Sequence, residues 1–419
     1  MKFVSFNLMP YQYLPDDFED RYDSVWVTVP KHLYDPKKGH ELYHRYLDLL
    51  EYCVDLGYDG IGVNEHHSNA YGLMPSPNLM GSILSRKIRQ QDKTSLLVLG
   101  NSIALYNPPI RVAEEFAMLD VLTGGRFIAG FPVGTSMDSN YVYGVNPAEL
   151  RDRYYEAHRL IKQAWESDEV FHFNGKYTQL RYVNPWPTPA QRPHPPVWIP
   201  GGGSVETYDF SIEENYSFSY LSYFGHQHAM KTMKPFWERV EQSGAEMNPY
   251  RAGYAQLVCV SETDEQAEHD YYEHIKYFFA KCLHLDPRFV EAPGYRTVAS
   301  LRAGLRPQLS GQAKFASQLL KEGLSWKEFL ERGYIVAGSP ATVRDQLKDA
   351  AKQLRVGNIV LINQIGDMPH WLAMKNMQLF AEEVMPYCQD VWPEWDPSPY
   401  WPTGIGPRPD AGAQSRNAA

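Results

Sequence analysis

The chain has 419 residues, with 40 Lys and Arg against 50 Asp and Glu, which gives a formal net charge of −10. A composition of 43% hydrophobic and 21% charged residues predicts a large folded core and excludes an intrinsically disordered protein. Because nucleic-acid binding depends on cations that meet phosphates, the negative balance predicts that nucleic acid is not a partner. We recognise no membrane-spanning apolar run and no signal peptide, so we expect a cytoplasmic protein that makes no membrane contact.

Short apolar runs alternate with amphipathic helical stretches, a pattern typical of βα units around a parallel sheet. The runs cover residues 2–8, 59–63, 95–103, 126–133, 197–201, 217–224, 254–260 and 358–363. Eight such units predict an α/β fold, a (β/α)8 TIM barrel with insertions. A doubly wound open sheet is the alternative, but the first turn, Leu8-Met9-Pro10-Tyr11, does not have the glycine-rich sequence expected there.

The domain organisation is predicted from the segments that eight βα units do not account for. We expect residues 1–388 to form a single barrel domain, with an excursion at residues 168–196. A second insertion, residues 284–336, precedes the last strand, and its length is typical of a lid or binding element. Residues 389–419 are rich in Pro, Gly and Trp, which predicts an extended C-terminal arm.

Residues just past the strands are the candidates for chemistry, because parallel barrels carry their sites at the carboxyl ends of the strands. Run 59–63 is followed by Asn64, Glu65, His66 and His67. Histidines beside a carboxylate can transfer protons near neutral pH or bind a metal. Neighbouring residues of an extended segment point to opposite sides, so we expect one histidine to face the pocket while the other packs.

The third run ends in a small and polar stretch, Gly100-Asn101-Ser102. Small residues let the backbone come close to a ligand. A turn capped by Asn101 is the alternative, and both interpretations stay open.

The fifth run leads into Gly202, Gly203 and Ser204, and a helix is predicted directly afterwards. The free N–H groups at a helix N-terminus bind anions, and Ser204 can cap the helix. This junction therefore predicts a phosphate site, with a plain loop as the alternative.

A His-x-His pair, His226 and His228, follows the sixth run. The spacing is compatible with a metal, but no further ligand pattern accompanies it. We therefore predict no metal site and assign the pair to the lining of a pocket.

Taken in chain order, four segments resemble the bacterial-luciferase-like flavin-dependent monooxygenases. The segments are 58–78 (YDGIGVNEHHSNAYGLMPSPN), 98–131 (VLGNSIALYNPPIRVAEEFAMLDVLTGGRFIAGF), 194–207 (HPPVWIPGGGSVET) and 334–347 (YIVAGSPATVRDQL). The resemblance extends over most of residues 1–388. It implies a barrel that uses reduced FMN (FMNH2), which reacts with O2 to form a C4a-peroxide.

The resemblance also implies roles for individual residues. His66 resembles the family's active-site histidine, and Asn101 and Ser102 lie where relatives contact the isoalloxazine. Tyr154 matches a tyrosine that contacts flavin in some relatives. The segment resembling the flavin-phosphate loop contains Gly202, Gly203 and Ser204.

Two positions depart from the family pattern. Many relatives have an arginine after the fourth strand that meets the phosphate, where this chain has Val133. The phosphate must then be met by backbone N–H groups or by another cation. Luciferase itself has a cysteine where Pro132 stands, which argues against light emission.

The function predicted from this resemblance is a flavin-dependent monooxygenase that oxygenates a small organic substrate. Aromatic residues near strand ends suggest that the substrate is hydrophobic or aromatic: Tyr11, Tyr71, Tyr106, Tyr223 and Phe224. No nicotinamide-binding module is recognisable, so an NAD(P)H:flavin reductase is the expected partner. A homodimer is expected through helices that carry Leu79, Met80, Ile83, Leu84, Ile88, Phe116 and Leu119.

Three alternative functions stay open. An F420-dependent oxidoreductase on the same barrel would transfer hydride without O2. A metal-dependent hydrolase would use His66, His226 and His228. A barrel that has lost its chemistry would serve as a flavin-binding or assembly subunit.

Overall fold

The computed structural model describes residues 1–221, 223–302 and 323–405, and it confirms the closed eight-stranded parallel barrel. The barrel strands are β1 (Lys2–Phe6), β2 (Gly60–Val63), β3 (Ser95–Val98), β4 (Phe127–Gly130), β7 (Val197–Gly201), β8 (Ser217–Tyr220), β9 (Ala252–Val260) and β11 (Asn358–Ile362). Each pairs in parallel with its neighbours, and the β8–β9 and β11–β1 pairings close the cylinder.

Helices cover the outside of the barrel, as expected for βα units. They are α1 (Phe18–Arg21), α2 (Pro36–Asp55), α3 (Pro77–Ile88), α4 (Ile110–Leu122), α5 (Leu150–Glu166), α6 (Val205–Glu213), α7 (Gly225–Ser243), α8 (Asp264–Tyr277), α9 (Pro287–Val290), α10 (Val298–Arg302), α11 (Trp326–Glu331), α12 (Pro340–Leu354) and α13 (His370–Leu379). Within the described ranges, no helix combines the length and apolarity that membrane crossing requires.

Glycines on β2 make room for large side chains on β1. The register places Gly60 beside Val4 and Gly62 beside Phe6. A Cβ at Gly60 would lie 3.2 Å from Cγ2 of Val4, and one at Gly62 would lie 2.8 Å from Cδ2 of Phe6. Small residues opposite large ones let the interior of the barrel fill without voids.

The strands differ from the predicted runs mainly at their carboxyl ends. Runs 2–8, 95–103, 126–133 and 217–224 continue past the observed strands into loops at the barrel mouth. The loops at the mouth contain the same apolar and small residues as the strands that precede them. Composition alone therefore does not show where a strand ends and its loop begins.

Three strands lie outside the eight predicted runs. An antiparallel hairpin, β5 (Phe171–Asn174) and β6 (Gln179–Val183), occupies the excursion. The buried carboxylate of Glu156 on α5 accepts hydrogen bonds from the N–H groups of Lys176, Tyr177 and Thr178 in the hairpin turn. Glu156 thereby fixes the hairpin to the barrel.

The third additional strand corrects the boundary of the predicted 284–336 insertion. Strand β10 (Ile335–Gly338) pairs in parallel with the second half of β9, so the insertion ends before residue 335. Its first part, residues 284–302, packs on the barrel, and we refer to it as the docked segment. Residues 303–322, the centre of the predicted lid, lie outside the described residues.

The C-terminal arm packs across the amino ends of the strands. Trp401 is 6% exposed, and its ring lies 6.0 Å from that of Trp198, which donates from Nε1 to the carbonyl of Tyr400 at 3.1 Å. Lys2 lies over the Trp401 ring at 5.4 Å. The arm from residue 389 to 405 therefore closes the end of the barrel opposite the mouth, and residues 406–419 lie outside the described chain.

Candidate active site

The loops past β2, β3 and β4 bring His66, Asn101 and Ser102 together with residues that the sequence analysis did not select. Nδ1 of His66 is hydrogen-bonded to Oδ2 of Asp138 at 2.9 Å. Asp138 belongs to a π-helical turn, Met137–Val142, that follows β4. The pair therefore connects two strand ends at the barrel mouth.

The Asp138 carboxylate is 2% exposed and has four hydrogen-bond partners. Its Oδ1 accepts from Nε1 of Trp26 at 3.1 Å and from the backbone N–H of His67 at 2.8 Å. Its Oδ2 is shared by His66 and by the hydroxyl of Thr135 at 2.9 Å. Burial alone would raise the pKa of Asp138, but the charge interaction and hydrogen bond with His66, with the hydrogen bonds from His67 and Thr135, hold it below its usual value.

The second histidine has a carboxylate partner of its own. Nε2 of His67 lies 2.9 Å from Oε1 of the buried Glu65. Oε2 of Glu65 accepts from the backbone N–H of Ser102 at 2.7 Å, and Oε1 accepts from the Tyr106 hydroxyl at 3.2 Å. The expectation that one histidine packs fits His67, which is 6% exposed, whereas the His66 side chain keeps 17% exposure.

Asn101 is fully buried, and its side chain is occupied within the protein. Its amide and that of Asn78 exchange two hydrogen bonds, at 2.9 and 3.1 Å. The Asn101 Nδ2 also donates to the carbonyl of Gly100. Asn101 therefore supports the end of β3, and its neighbour Ser102 lies nearer the mouth.

Tyr154 on α5 is also buried, and its hydroxyl donates to the carbonyl of Phe131 at 2.8 Å. Burial raises the pKa of this phenol well above its ordinary value, so the hydroxyl stays protonated. Tyr154 thereby ties α5 to the end of β4.

The glycine loop after β7 has the geometry of an anion site. Gly203 has φ +91°, and a Cβ there would collide with the Tyr208 hydroxyl and Cγ2 of Thr232. Ser204 caps α6 by accepting from the backbone N–H of Thr207 at 3.2 Å. The backbone of this loop therefore leads into the positive end of a nine-residue helix.

A cation lies at this loop. Arg151, in the first turn of α5, donates from Nη2 to Oγ of Ser204 at 3.1 Å. With Val133 in place of an arginine, the sequence predicted that backbone N–H groups or another cation would meet the phosphate, without identifying which cation. Arg151 is 53 residues away in the chain, and only the folded barrel brings the two loops together.

The docked segment joins the glycine loop to the His66 site. The Tyr295 hydroxyl donates to the carbonyl of Gly134 at 2.7 Å, next to Ser102. Further along, the hydroxyls of Thr297 and Ser300 donate to the carboxylate of Glu206 in the first turn of α6. The docked segment therefore contacts both the loop that carries Gly134 and the first turn of α6.

The His-x-His pair lies on α7, away from any cluster of ligands. His226 contacts the Gly333 backbone region, and the His228 ring lies 5.9 Å from that of Phe224. In the part of the chain that the structure describes, no three His, Cys, Asp or Glu side chains are grouped as metal ligands.

Asp138, Trp26 and Arg151 were missed by the sequence analysis. Asp138 lies eight residues beyond β4, and it could have been selected as a carboxylate in a loop at the mouth. Trp26 lies in the long connection between β1 and α2, where no motif distinguishes it. Their contribution depends on contacts between loops that are distant in sequence.

A closed (β/α)8 barrel with this set of loops is the fold of the luciferase-like oxidoreductases, and comparison with known proteins agrees. The chain belongs to the luciferase-like monooxygenase family, whose model matches residues 24–356. The family membership and the relatives below support an oxidoreductase.

Two curated relatives represent two kinds of chemistry. The chain is 27% identical over 181 residues to the oxygenase component of a flavin-dependent trigonelline monooxygenase from Acinetobacter baylyi, covering 43% of this chain and 48% of that protein. It is 31% identical over 169 residues to an F420-dependent glucose-6-phosphate dehydrogenase from Amycolatopsis mediterranei, covering 38% and 48%. The chain thus spans about half the length of the curated relatives it matches.

A solved structure extends the likeness over the whole barrel. The FMN complex of the oxygenating constituent of 3,6-diketocamphane monooxygenase from Pseudomonas putida superposes with a TM-score of 0.64. The sequences are 16% identical, and the match covers 92% of this chain and 98% of that one. At this identity the likeness shows the shared fold.

Proposed function

We propose that this protein is the oxygenase component of a two-component flavin-dependent monooxygenase, which uses reduced FMN and O2 to oxygenate a small hydrophobic or aromatic substrate. The carrying observation is the junction of the left-handed Gly203 with the N-terminus of α6, where Ser204 caps the helix and Arg151 donates to Ser204. A separate NAD(P)H:flavin reductase supplies the reduced flavin. The flavin-dependent trigonelline oxygenase supports this assignment as a relative.

The residues present fit FMN. The left-handed glycine and the helix N-terminus provide N–H donors for a phosphate, and Arg151 provides the cation. The buried Oδ1 of Asn64, directly past β2 and two residues before His66, has no hydrogen-bond partner among the described residues. A buried acceptor without a partner is costly, and a donor on a bound ring would satisfy it.

Reduced FMN, when bound, supplies the electrons that activate O2. The protein contributes position, exclusion of water and proton control. His66 is held against Asp138 with its ring edge towards the mouth, where it can give or take a proton at the reacting centre. The surrounding rings of Trp26 and Tyr71, 4.6 and 5.3 Å from the His66 ring, keep this position largely dry.

The same rings support a hydrophobic or aromatic substrate. Tyr71 stacks on Trp26 with ring centroids 5.0 Å apart, and its hydroxyl is hydrogen-bonded to that of Tyr223. Aromatic walls bind apolar and aromatic molecules through large contact areas.

An F420-dependent oxidoreductase is the second candidate, because the Amycolatopsis dehydrogenase is a relative of similar identity. F420 carries an acidic chain beyond its phosphate. Here the region beyond the glycine loop presents the carboxylate of Glu206, held by Thr297 and Ser300. Arg151 and the helix N-terminus would meet the phosphate that FMN and F420 share, whereas the carboxylate of Glu206 repels the further negative charges of an acidic tail, so the local charge supports FMN.

We also propose a homodimer, through an exposed apolar face on α3 and α4. The predicted residues fall into three groups: Leu84, Ile88, Phe116 and Leu119 are buried in the core, Met80 is half-buried, and Leu79 and Ile83 are exposed. Exposed neighbours on α4 extend the face: Met118, Val121 and Leu122. A contiguous apolar patch on two packed helices is typical of a protein interface.

The proposed function is tested by the reaction of FMNH2 with O2. Protein loaded with FMNH2 under argon should release hydrogen peroxide more slowly than free FMNH2 after O2 is admitted. The variant His66→Ala should retain FMN binding and lose part of this protection. Equal rates of peroxide release with and without the protein would contradict the proposal.

A further inference from the structure

We propose that Asp138 is a positioning residue that fixes the tautomer of His66, keeping the proton on Nδ1 and leaving Nε2 as the acceptor towards the reacting centre. The observation is the arrangement of four partners around one buried carboxylate, two on each oxygen. The expected consequence for turnover rests on the proposed function, whereas the tautomer itself is a property of the protein without cofactor.

The four partners differ in whether they can only donate a hydrogen bond or can also accept one. At Oδ1, Nε1 of Trp26 and the backbone N–H of His67 are obligatory donors. At Oδ2, Nδ1 of His66 and the Thr135 hydroxyl can each act as donor or acceptor. An ionised carboxylate only accepts, so it requires both partners at Oδ2 to donate. Asp138 therefore places the ring proton of a neutral His66 on Nδ1.

Neighbouring aromatic rings pack against His66 in this orientation. The His66 ring meets the Trp26 ring edge-on, with centroids 4.6 Å apart, and its centroid lies 5.3 Å from that of Tyr71. The backbone N–H of His66 donates to the carbonyl of Met74 at 3.1 Å. Among the described residues, no side chain is hydrogen-bonded to Nε2 of His66. Nε2 is thus the nitrogen left for substrate or cofactor chemistry.

The variant Asp138→Asn has a predictable geometry. Its amide oxygen must face Trp26 and His67, because an NH2 group there would oppose two obligatory donors. The NH2 group then faces His66 and donates to Nδ1, which moves the proton of the neutral ring to Nε2. The volume and most hydrogen bonds are preserved, so the variant changes the tautomer rather than the packing.

The test is nitrogen-15 NMR of the histidine side chains in the cofactor-free protein, at alkaline pH, where histidine rings are neutral. The His66 signal is assigned by its loss in His66→Gln. We expect an Nδ1–H tautomer in the wild type and an Nε2–H tautomer in Asp138→Asn. The control Asp120→Asn removes another fully buried carboxylate, bonded to Gln191 far along the barrel, and should leave His66 unchanged.

An Nε2–H tautomer in the wild type would overturn the proposal, even if the variant failed to fold. An unchanged tautomer in Asp138→Asn, or the same change in Asp120→Asn, would also overturn it. If the proposed function holds as well, Asp138→Asn should lower kcat at least 100-fold, since the proton acceptor is lost, with little change in FMN affinity. A changed tautomer without any monooxygenase activity in the wild type would contradict the proposed function alone.

Discussion

Arg151 reaches from the first turn of α5 to the cap of α6, where its Nη2 lies 3.1 Å from Oγ of Ser204. The guanidinium thereby stands at the N-terminus of the helix that follows the glycine loop. Its charge adds to the helix dipole, so a phosphate bound there meets two sources of positive potential. We propose that a bound phosphate would meet Arg151 in place of the arginine that many relatives have at the position of Val133.

Replacing Arg151 with Ala should weaken FMN binding about 10-fold or more, because a charge-assisted hydrogen bond to phosphate is lost. Riboflavin lacks the phosphate, so its affinity should stay the same. Fluorescence titration with both ligands measures the difference.

The matched control is Arg153→Ala on the same helix. Arg153 pairs with Glu149 at 3.0 Å and lies over the Tyr177 ring, so its loss should leave both affinities near the wild-type values. If Arg151→Ala weakened FMN and riboflavin binding equally, the proposed contact between Arg151 and the phosphate would be contradicted.

Replacing Gly203 with Ala should reduce both FMN affinity and stability. The new Cβ meets Tyr208 and Thr232, and φ +91° is unfavourable for any residue except glycine. The control Gly244→Ala has φ +74° with open space around the Cβ, so it carries the backbone strain without the collision.

Urea unfolding should show a loss for Gly203→Ala that exceeds the control by about 1 kcal/mol or more. Flavin titration at temperatures where both variants are folded should show weaker FMN binding in Gly203→Ala alone. Wild-type FMN affinity in a folded Gly203→Ala would show that the loop does not approach the cofactor.

The dimer prediction is tested at Ile83, which is 46% exposed on α3. A charge at the centre of an apolar interface is costly, so Ile83→Glu should convert a dimer to a monomer. Light scattering at micromolar concentration measures the mass. The control Val170→Glu, which changes a 53% exposed residue outside this face, should remain dimeric. A monomeric wild type would contradict the prediction directly.

Removal of the ring that closes the amino end of the barrel should cost stability. Trp401→Ala empties a buried site between Trp198, Gly60 and Lys2, so we expect a loss of about 3 kcal/mol in the free energy of unfolding. Trp371→Ala, at a position 63% exposed, should change it by less than about 0.5 kcal/mol. If Trp401→Ala and Trp371→Ala changed the free energy of unfolding in urea equally, the packing of Trp401 would not contribute to stability.

The docked segment should be loosened by Ser300→Ala, because Ser300 donates to Glu206 at 2.8 Å. Tryptic cleavage after Arg296 and Arg302 should become faster, and FMN should slow it in the wild type. Ser398→Ala, which removes a hydroxyl bonded to the exposed Asp396, is the control and should leave the cleavage rate unchanged. Cleavage that is equally fast in all proteins, with and without FMN, would exclude a link between the docked segment and the cofactor.

The sequence alone was sufficient to predict the barrel, because the alternation of strands and helices is a local pattern. Helix α4 (Ile110–Leu122) likewise follows local signals, because it begins directly after Pro109 and ends shortly before Gly124. Strand β10 was missed because four buried residues between two helices resemble a helix entry as closely as a strand. Its pairing with β9 is a tertiary contact that no local pattern encodes.

The site was predicted in part for the same reason. His66 and the loop at Gly203 carry local signals, a histidine pair beside a carboxylate and a glycine–helix junction. Asp138 and Arg151 act through partners 72 and 53 residues away, so their importance depends on the closed barrel. Asn101 and Tyr154 were selected by resemblance, and in the structure their polar groups are bonded within the protein.

The central claim, that this barrel uses FMN and O2, is tested most directly by comparing two cofactors. Reduced FMN and reduced F420 are titrated into the protein under argon, and O2 is then admitted while the cofactor spectrum is recorded. The account predicts tighter binding of reduced FMN than of reduced F420, and reoxidation of the bound flavin with kinetics different from those of free FMNH2. Tight binding of reduced F420 together with no measurable affinity for FMN would contradict it.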